Sequence, residues 1–192
     1  MANPETILNF WIDEVGPSGW YSGEDALNAE IRDKFEDDWN KAMAGSCGLW
    51  LTSPQGALAY LILVDQFPRN MFKGTGKSFA SDRQARAAAK TAIARKWDLR
   101  IPEPQRQFFY MPLMHSENLI DQDRAVRLFL TRMPETGEQN LPHARAHREI
   151  IRRFGRFPTR NAALARSSTA AEQAWIDEGG YGRELRELAG AA

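Results

Sequence analysis

Apolar side chains recur every four residues along much of this chain, and this spacing is the strongest constraint on its fold. The clearest example is the set Leu27, Ile31, Phe35, Trp39 and Met43, which has acidic residues on its other side. Such a period places apolar side chains on one face of an α-helix, which must be buried against another element. Because no stretch shows clean period-two alternation bounded by hairpin turns, we predict an all-α fold without a sheet.

The size of the chain favours one domain. It has 192 residues, of which 43% are hydrophobic and 26% charged, an ordinary balance for a globular protein. We therefore predict a single all-α domain over residues 1–192. Within it, residues 181–192 form a tail that is either loose or a marginal helix.

The charge balance and the cysteine content limit the partners and the compartment. Lys and Arg together number 25, as do Asp and Glu, so the formal net charge is zero. A neutral chain does not attract polyanions, so neither nucleic acid nor a membrane surface is expected as a partner. Cys47 is the only cysteine, which excludes an internal disulfide. With no secretory leader and no apolar run near the roughly 18 residues of a membrane helix, we predict a cytoplasmic protein.

A second feature is a repeated sequence in which Phe-Pro is followed by Arg-Asn. It occurs as Phe67 to Asn70 and again, with one inserted residue, as Phe157 to Asn161. Proline disfavours helical angles in the residue before it, so each helix should end near the phenylalanine. The chain would then turn a corner that carries arginine and asparagine. Two such corners predict one shared polar site.

Polar side chains cluster at both corners, beside very apolar helices. They are Asp65, Gln66, Arg69 and Asn70 near the first corner, and Arg156, Arg160 and Asn161 near the second. Planar guanidinium groups suit a bidentate grip on a carboxylate or phosphate, so the set is typical of an anion-binding site. The same residues also fit a structural network, in which arginine and asparagine only complete the helix ends.

The segment His115-Ser116-Glu117 offers the best candidates for catalysis, together with His147. Adjacent residues point in different directions, so these three do not form a triad by themselves. We expect Ser116 to cap the following helix while His115 or Glu117 faces the corners. In an enzyme, His115 or His147 would serve as general acid or base beside an arginine-stabilised anion. In the simpler alternative, Glu117 pairs with a buried arginine.

Two patterns that suggest a cofactor are incomplete. His143 and His147 lie four residues apart on one helix face, but the sequence supplies no pattern for a third metal ligand. The loop Gly74 to Ser78 contains Gly-Lys-Ser, yet Met71 stands where a phosphate loop needs its first glycine. We therefore predict no metal site and no cofactor.

Four segments carry a family resemblance: Phe10-Trp11, Asp65 to Asn70, Phe109 to Glu117, and His147 to Asn161. In order and spacing they resemble the bacterial family called domain of unknown function 924. The resemblance implies a tetratricopeptide-repeat-like (TPR-like) stack of antiparallel helical hairpins, and it implies no known activity. Its motif residues are Asp65, Gln66, Arg69, Asn70, His115, Ser116, Glu117, His147, Arg156, Arg160 and Asn161.

The main functional prediction is a protein of unknown function that binds a small anionic ligand or a peptide terminus. The arginines of the two corners would hold the anion, Asn70 and Asn161 would orient it, and Asp65 or Glu117 would balance the charge. One alternative is a hydrolase or transferase that uses His115 or His147. The other is a TPR-like scaffold, which predicts an exposed aromatic groove containing Trp20, Tyr21 and Trp50. The sequence does not indicate an oligomeric state.

Overall fold

The structure, a computed structural model, describes residues 2–190. Over that range the chain forms helices and no strand, which confirms the all-α prediction. None of the helices in this range is both long and apolar enough to cross a membrane. The chain divides after Pro112 into an N-terminal and a C-terminal compact unit. A single domain over residues 1–192 stays a prediction, and residues 191–192 of the proposed tail lie outside the described range.

The N-terminal unit is built around a long amphipathic helix. Its helices are α1 (Pro4–Leu8), α2 (Gly16–Gly19), α3 (Asp25–Met43), α4 (Pro54–Leu61), α5 (Phe67–Met71) and α6 (Asp82–Ala94). π-helical turns occupy Asn9–Val15 and Ile62–Gln66, and 3₁₀ turns occupy Gly48–Thr52, Gly76–Phe79, Asp98–Arg100 and Gln105–Phe109. Helix α3 buries Ile31, Phe35 and Trp39, as its four-residue spacing predicts.

Helix starts in this unit follow local sequence signals. The Asn3 side chain accepts a hydrogen bond from the Thr6 N–H at 2.8 Å, and Pro4 follows it at the first helical position. Ser53 likewise accepts from the Gly56 N–H at 3.1 Å before Pro54. Both caps satisfy amide donors that a helix start leaves unpaired.

Phe67 lies at the centre of the aromatic core of this unit and is fully buried. Its ring centre lies 4.9 Å from that of Phe35 and 5.4 Å from that of Trp11. Phe10 is a further neighbour at 6.1 Å, in an edge-to-face arrangement. The first Phe-Pro sequence therefore contributes its phenylalanine to the core and not to a surface turn.

The prediction that a helix ends near Phe67 is wrong, because the chain stays helical through Pro68 to Met71. The π-helical turn before it shifts the hydrogen bonds, so that the Phe67 N–H donates to the Ile62 carbonyl. Pro68 has no N–H for the Val64 carbonyl, four residues earlier. That carbonyl accepts a hydrogen bond from Ser81 Oγ at 2.5 Å instead. A tertiary contact thus compensates for the proline.

Replacing this serine tests the compensation. Ser81 is fully buried, and its hydroxyl also accepts from Trp39 Nε1 at 3.1 Å. We expect Ser81→Ala to lower the free energy of unfolding by about 1–3 kcal/mol, since it leaves a buried donor and a buried carbonyl unpaired. Urea unfolding measures the change. Ser22→Ala, at an exposed serine, is the control, and equal losses in the two variants would contradict the assignment.

Two of the three aromatics predicted to line an exposed groove are buried. Trp20 is 4% exposed and donates from Nε1 to the Trp11 carbonyl at 2.7 Å, and Trp50 is 7% exposed. Tyr21 is 57% exposed, and its hydroxyl donates to Gln107 at 2.6 Å. The prediction of a groove containing all three is wrong, because the indole rings complete the core of the N-terminal unit.

The C-terminal unit begins within α7 (Met111–Met114), which carries the chain across the boundary. Its other helices are α8 (Leu119–Arg132), α9 (Gly137–Phe154), α10 (Ala170–Asp177) and α11 (Gly180–Gly190), with a 3₁₀ turn at Pro158–Arg160. Helices α8 and α9 pack along each other. Helix α9 begins at Gly137, so Pro142 lies inside it.

The second Phe-Pro corner turns as the sequence predicts. Helix α9 ends at Phe154, and Gly155 follows in the left-handed region with a φ of 69°, which favours glycine. Phe157, the residue before proline, is extended with a ψ of 108°. Its ring is buried, and it packs in a small core with Ile150, Ile151 and Trp175.

Candidate functional site

At the first corner, Arg69 is already engaged by carboxylates of the protein. Its guanidinium donates to the Asp65 carbonyl at 2.6 Å and to the Asp82 carboxylate at 2.9 Å. The Asp65 carboxylate, which is fully buried, lies 3.4 Å from the same guanidinium and accepts from Gln66 at 2.6 Å. Asn70 donates from Nδ2 to the Gln66 carbonyl at 3.1 Å. Three of these four predicted site residues therefore form a closed network.

Asn70 also lines a cleft of about 340 Å³. The other lining residues are Asp25, Asn28, Ala29, Arg32 and Lys73. Four of them belong to the first two turns of α3, at a spacing that places them on one helix face. Arg32 was not among the site residues predicted from the sequence.

The two cations of this cleft have no carboxylate partner among residues 2–190. Arg32 donates to the Met71 carbonyl and lies 5.9 Å from the centre of the Phe72 ring. Lys73 donates to the Gly23 carbonyl at 3.3 Å. A guanidinium carries five N–H donors and an ammonium three, so each cation keeps donors for another group. Arg69, in contrast, is paired with the Asp82 carboxylate.

At the second corner, Arg156 forms a bidentate ion pair with Glu172. Its Nε lies 2.6 Å from one carboxylate oxygen and its NH2 lies 2.8 Å from the other. Glu172 is 2% exposed and also accepts from the Thr169 N–H at 2.7 Å, while its own N–H donates to Thr169 Oγ1. The hydrogen bond from Arg156 is the largest cause that lowers the pKa of Glu172 to about 2. Arg156 therefore reinforces the capping box of α10.

Glu117 forms a further bidentate ion pair in this unit, with Arg166. Two Arg166 nitrogens lie 2.8 and 2.9 Å from its two oxygens, and the Phe157 N–H donates to one of them at 2.9 Å. Burial by itself would raise the pKa of Glu117, but the hydrogen bonds from Arg166 and Phe157 outweigh it, so the pKa is lowered. The carboxylate holds the Phe157 backbone in its extended turn.

Ser116 and Asn161 are buried and make contacts within the protein. Ser116 donates to the Asp121 carboxylate at 2.9 Å. The prediction that it caps the next helix is wrong, because Asn118 accepts from the Ile120 N–H at 2.9 Å and from that of Asp121. Asn161 donates to Ser168 at 3.1 Å and accepts from Arg166 at 3.1 Å.

All three histidines of the chain are connected by ring contacts. His143 and His147 both contact Tyr181, and His147 also contacts His115. The His147 ring centre lies 6.5 Å from His115, 5.3 Å from Tyr181 and 5.0 Å from Phe157. His143 Nδ1 shares a hydrogen bond with the Tyr181 hydroxyl, and burial lowers the pKa of His143. Within residues 2–190, no group of three His, Cys, Asp or Glu residues is arranged to hold a metal ion.

His147 is held in its neutral form. Its Nδ1 donates to the Met114 carbonyl at 3.0 Å, which leaves the lone pair on Nε2. Burial, followed by the nearby His115, lowers the pKa of His147 to about 3. General-base catalysis is most effective when the pKa lies near the working pH, so His147 is a weak base at neutral pH. Its ring is suited to hydrogen bonding more than to proton transfer.

Comparison with known proteins agrees with the motif residues. A family model described as a bacterial protein of unknown function (DUF924) matches residues 7–180. The chain belongs to the DUF924 family. It is 38% identical to a protein of unknown function from Agrobacterium tumefaciens, ATU0120, whose solved structure matches it with a TM-score of 0.85. That match covers 92% of this chain and 97% of the other, and no curated protein matches this chain.

In this DUF924 protein, the nominated residues fall into two groups. The first corner and its cleft belong to the N-terminal unit. The C-terminal unit contains the second corner, the His115 segment and His147, while the Arg160 guanidinium lies 4.3 Å from the centre of the Phe157 ring. A single site shared by the two corners stays a prediction.

Sequence reasoning missed three charged residues that decide what the nominated ones do. Arg166 and Glu172 pair with Glu117 and Arg156, and Arg32 lines the cleft beside Asn70. Glu172 follows Thr169 by three residues, which is the spacing of a capping box, but this spacing gives no information about a distant arginine. Arg32 carried the only usable signal, since it is a lone arginine in an acidic stretch, seven residues from Asp25 on the same helix face.

Proposed function

We propose that this DUF924 protein binds a small anion in the cleft formed by the start of α3, the end of α5 and the segment after α5. The observation that carries the proposal is the pair of cations in that cleft, Arg32 and Lys73, which lack a carboxylate partner among the described residues. Asn70, a motif residue of the family, lines the same cleft. Localisation in the cytoplasm is part of the proposal, in keeping with the single unpaired Cys47.

A contrast between Arg32 and two of the motif arginines supports this assignment. Arg69 and Arg156 each contact a carboxylate at less than 3 Å, so an incoming anion would have to displace a protein group. Arg32 instead spends one donor on a backbone carbonyl, which carries no full charge. An anion binds most favourably to a cation that has no ion pair with a protein carboxylate, because binding then breaks no existing ion pair.

The size and chemistry of the cleft limit the ligand. A volume of about 340 Å³ lies at the small end of the range of ligand sites. Arg32 offers a planar fork, Lys73 a point charge and Asn70 an amide, a set suited to a phosphate or carboxylate group. Asp25 supplies one acidic side chain on the same wall, where it can accept from a donor group of the ligand. A metabolite with one anionic group, or a peptide carboxylate, fits these limits.

Calorimetric titration tests the proposal with four probes: phosphate, sulfate, acetate and an acetylated dipeptide. We expect at least one to bind with a stoichiometry of one at low salt, and more weakly at high salt. Lys73→Met should weaken that binding about ten-fold, since it removes a charged donor. The control is Lys96→Met, which makes the same charge change at an exposed lysine outside the cleft. Equal affinities in the two variants, or no binding by any probe, would overturn the proposal.

A further inference from the structure

A second cleft in the N-terminal unit has a different character, because its lining is apolar. It has a volume of about 300 Å³ and is lined by α4, α6 and the 3₁₀ turn Gly48–Thr52, with Trp97 at one side. Four alanines form much of its wall, and Leu51, Tyr60 and Trp97 provide the larger surfaces. Gln84 and Thr91 supply the remaining polar groups. None of the lining residues carries a charge.

The alanines explain why a space exists between these helices. Helix α6 buries Ala85, Ala88, Ala89 and Ala92 where helices in a packed core usually place larger side chains. Of these, Ala88 and Ala92 line the cleft, and Ala57 of α4 lies in the opposite wall. The methyl group of alanine is too small to fill the space between α4 and α6. The floor of the cleft is therefore buried, and its rim, at Ala87 and Thr91, is exposed.

Tyr60 gives the floor of this cleft a polar group. It is only 7% exposed, and its hydroxyl makes no hydrogen bond with any of residues 2–190. Burial, followed by the nearby Cys47, raises the pKa of Tyr60, so the phenol keeps its proton. Among the described residues the Tyr60 oxygen is not one of the fully buried polar atoms without a partner, so the hydroxyl is accessible to a molecule bound in the cleft and can donate a hydrogen bond to it.

We propose that this cleft binds a small neutral molecule with an aromatic or branched apolar body and one hydrogen-bond acceptor, which the Tyr60 hydroxyl recognises. The absence of cationic groups from the lining argues against an anion, so this ligand differs in class from that of the Arg32 cleft. The volume sets the size: an apolar cavity of about 150 Å³ holds benzene, so about 300 Å³ suits a fused two-ring body. The side chain of Trp97 offers an aromatic surface against which such a body can pack.

Quinoline and naphthalene test the inference as a matched pair, because they share a shape and only quinoline has a ring-nitrogen acceptor. Binding is measured by two-dimensional NMR shifts of the assigned amides at pH 8. We expect both compounds to shift amides of Ala57, Ala88 and Trp97. Tyr60→Phe should weaken quinoline about five-fold and leave naphthalene unchanged, since it removes only the hydroxyl.

Ala88→Leu provides a second variant, which fills the cleft and should weaken both compounds. If this variant fails to fold, Tyr60→Phe still decides the outcome, because it changes no volume in the core. The proposal is overturned if neither compound shifts the cleft amides. It is also overturned if Tyr60→Phe changes the affinities for quinoline and naphthalene by the same factor, because the hydroxyl would then recognise no acceptor.

Discussion

Glu172→Gln should lower the free energy of unfolding by about 2–4 kcal/mol, because it replaces a buried carboxylate that pairs with an arginine. Gln can still accept from the Thr169 N–H, so the cap of α10 is largely kept. The lost interaction is the bidentate pair with Arg156, whose two contacts measure 2.6 and 2.8 Å. An amide also places N–H donors against the guanidinium. Urea unfolding followed by circular dichroism gives the change.

A matched pair of residues provides the control. Glu149 forms a comparable pair with Arg152, but the two residues lie on the surface of α9. Glu149→Gln should change the free energy of unfolding by less than about 1 kcal/mol, because water screens exposed ion pairs. If both substitutions cost the same, burial of Glu172 has no energetic consequence and the network at the second corner is not a stabilising one.

The Glu172 carboxylate also makes the free energy of unfolding depend on pH. Its pKa in the folded protein, about 2, lies below its usual value of 4.5. A group whose pKa is lowered by folding contributes stability that is fully present above pH 4.5 and is lost as the pH falls towards 2. The wild-type protein should therefore lose stability over this interval more steeply than Glu172→Gln does. Urea midpoints measured at several acid pH values check the difference.

Phe67→Ala should destabilise the N-terminal unit by about 3–5 kcal/mol, the usual cost of removing a fully buried phenylalanine. The Phe67 ring contacts the rings of Phe10, Trp11 and Phe35. Its removal therefore leaves a cavity, which these three rings can fill only by giving up their own packing contacts. Tryptophan fluorescence during urea unfolding reports the effect. Since the total free energy of unfolding of most domains is only about 5–15 kcal/mol, the variant should unfold at a much lower urea concentration.

Leu130→Ala is the control for this substitution. Leu130 is 60% exposed, and its truncation should cost less than about 0.5 kcal/mol. Phe67→Leu should fall between the two, because leucine fills part of the volume of the ring. A loss in Phe67→Ala no larger than that in Leu130→Ala would show that the first Phe-Pro sequence does not anchor the core.

Much of the fold could be read from the sequence because its signals are local. The helix starts at Asn3-Pro4, Ser53-Pro54 and Thr169 are set by a side chain and an amide within three residues of each other. The spacing of Ile31, Phe35 and Trp39 likewise depends only on helix geometry. These features need no knowledge of the rest of the chain.

The candidate site was harder to predict, because the role of a charged side chain depends on what lies beside it. Arg156 and Arg32 are indistinguishable as sequence letters. Packing places Glu172 against Arg156, and it leaves Arg32 with a backbone carbonyl in a cleft. The residues nominated for ligand binding include Arg69 and Arg156, which hold carboxylates of the protein, and Asn70, which lines the cleft.

The first corner shows the limit of a local rule. Proline does disfavour a helix, yet the helical chain continues through Pro68, and Ser81, 13 residues after the proline, donates to the Val64 carbonyl that the proline cannot reach. The sequence by itself determined the class of fold, the helix starts at Asn3, Ser53 and Thr169, and the buried face of α3, since these follow from contacts within a few residues. Only the tertiary structure decided which cations are neutralised and which remain available. Those pairings join residues as far as 49 positions apart, so they exist only once the helices have packed.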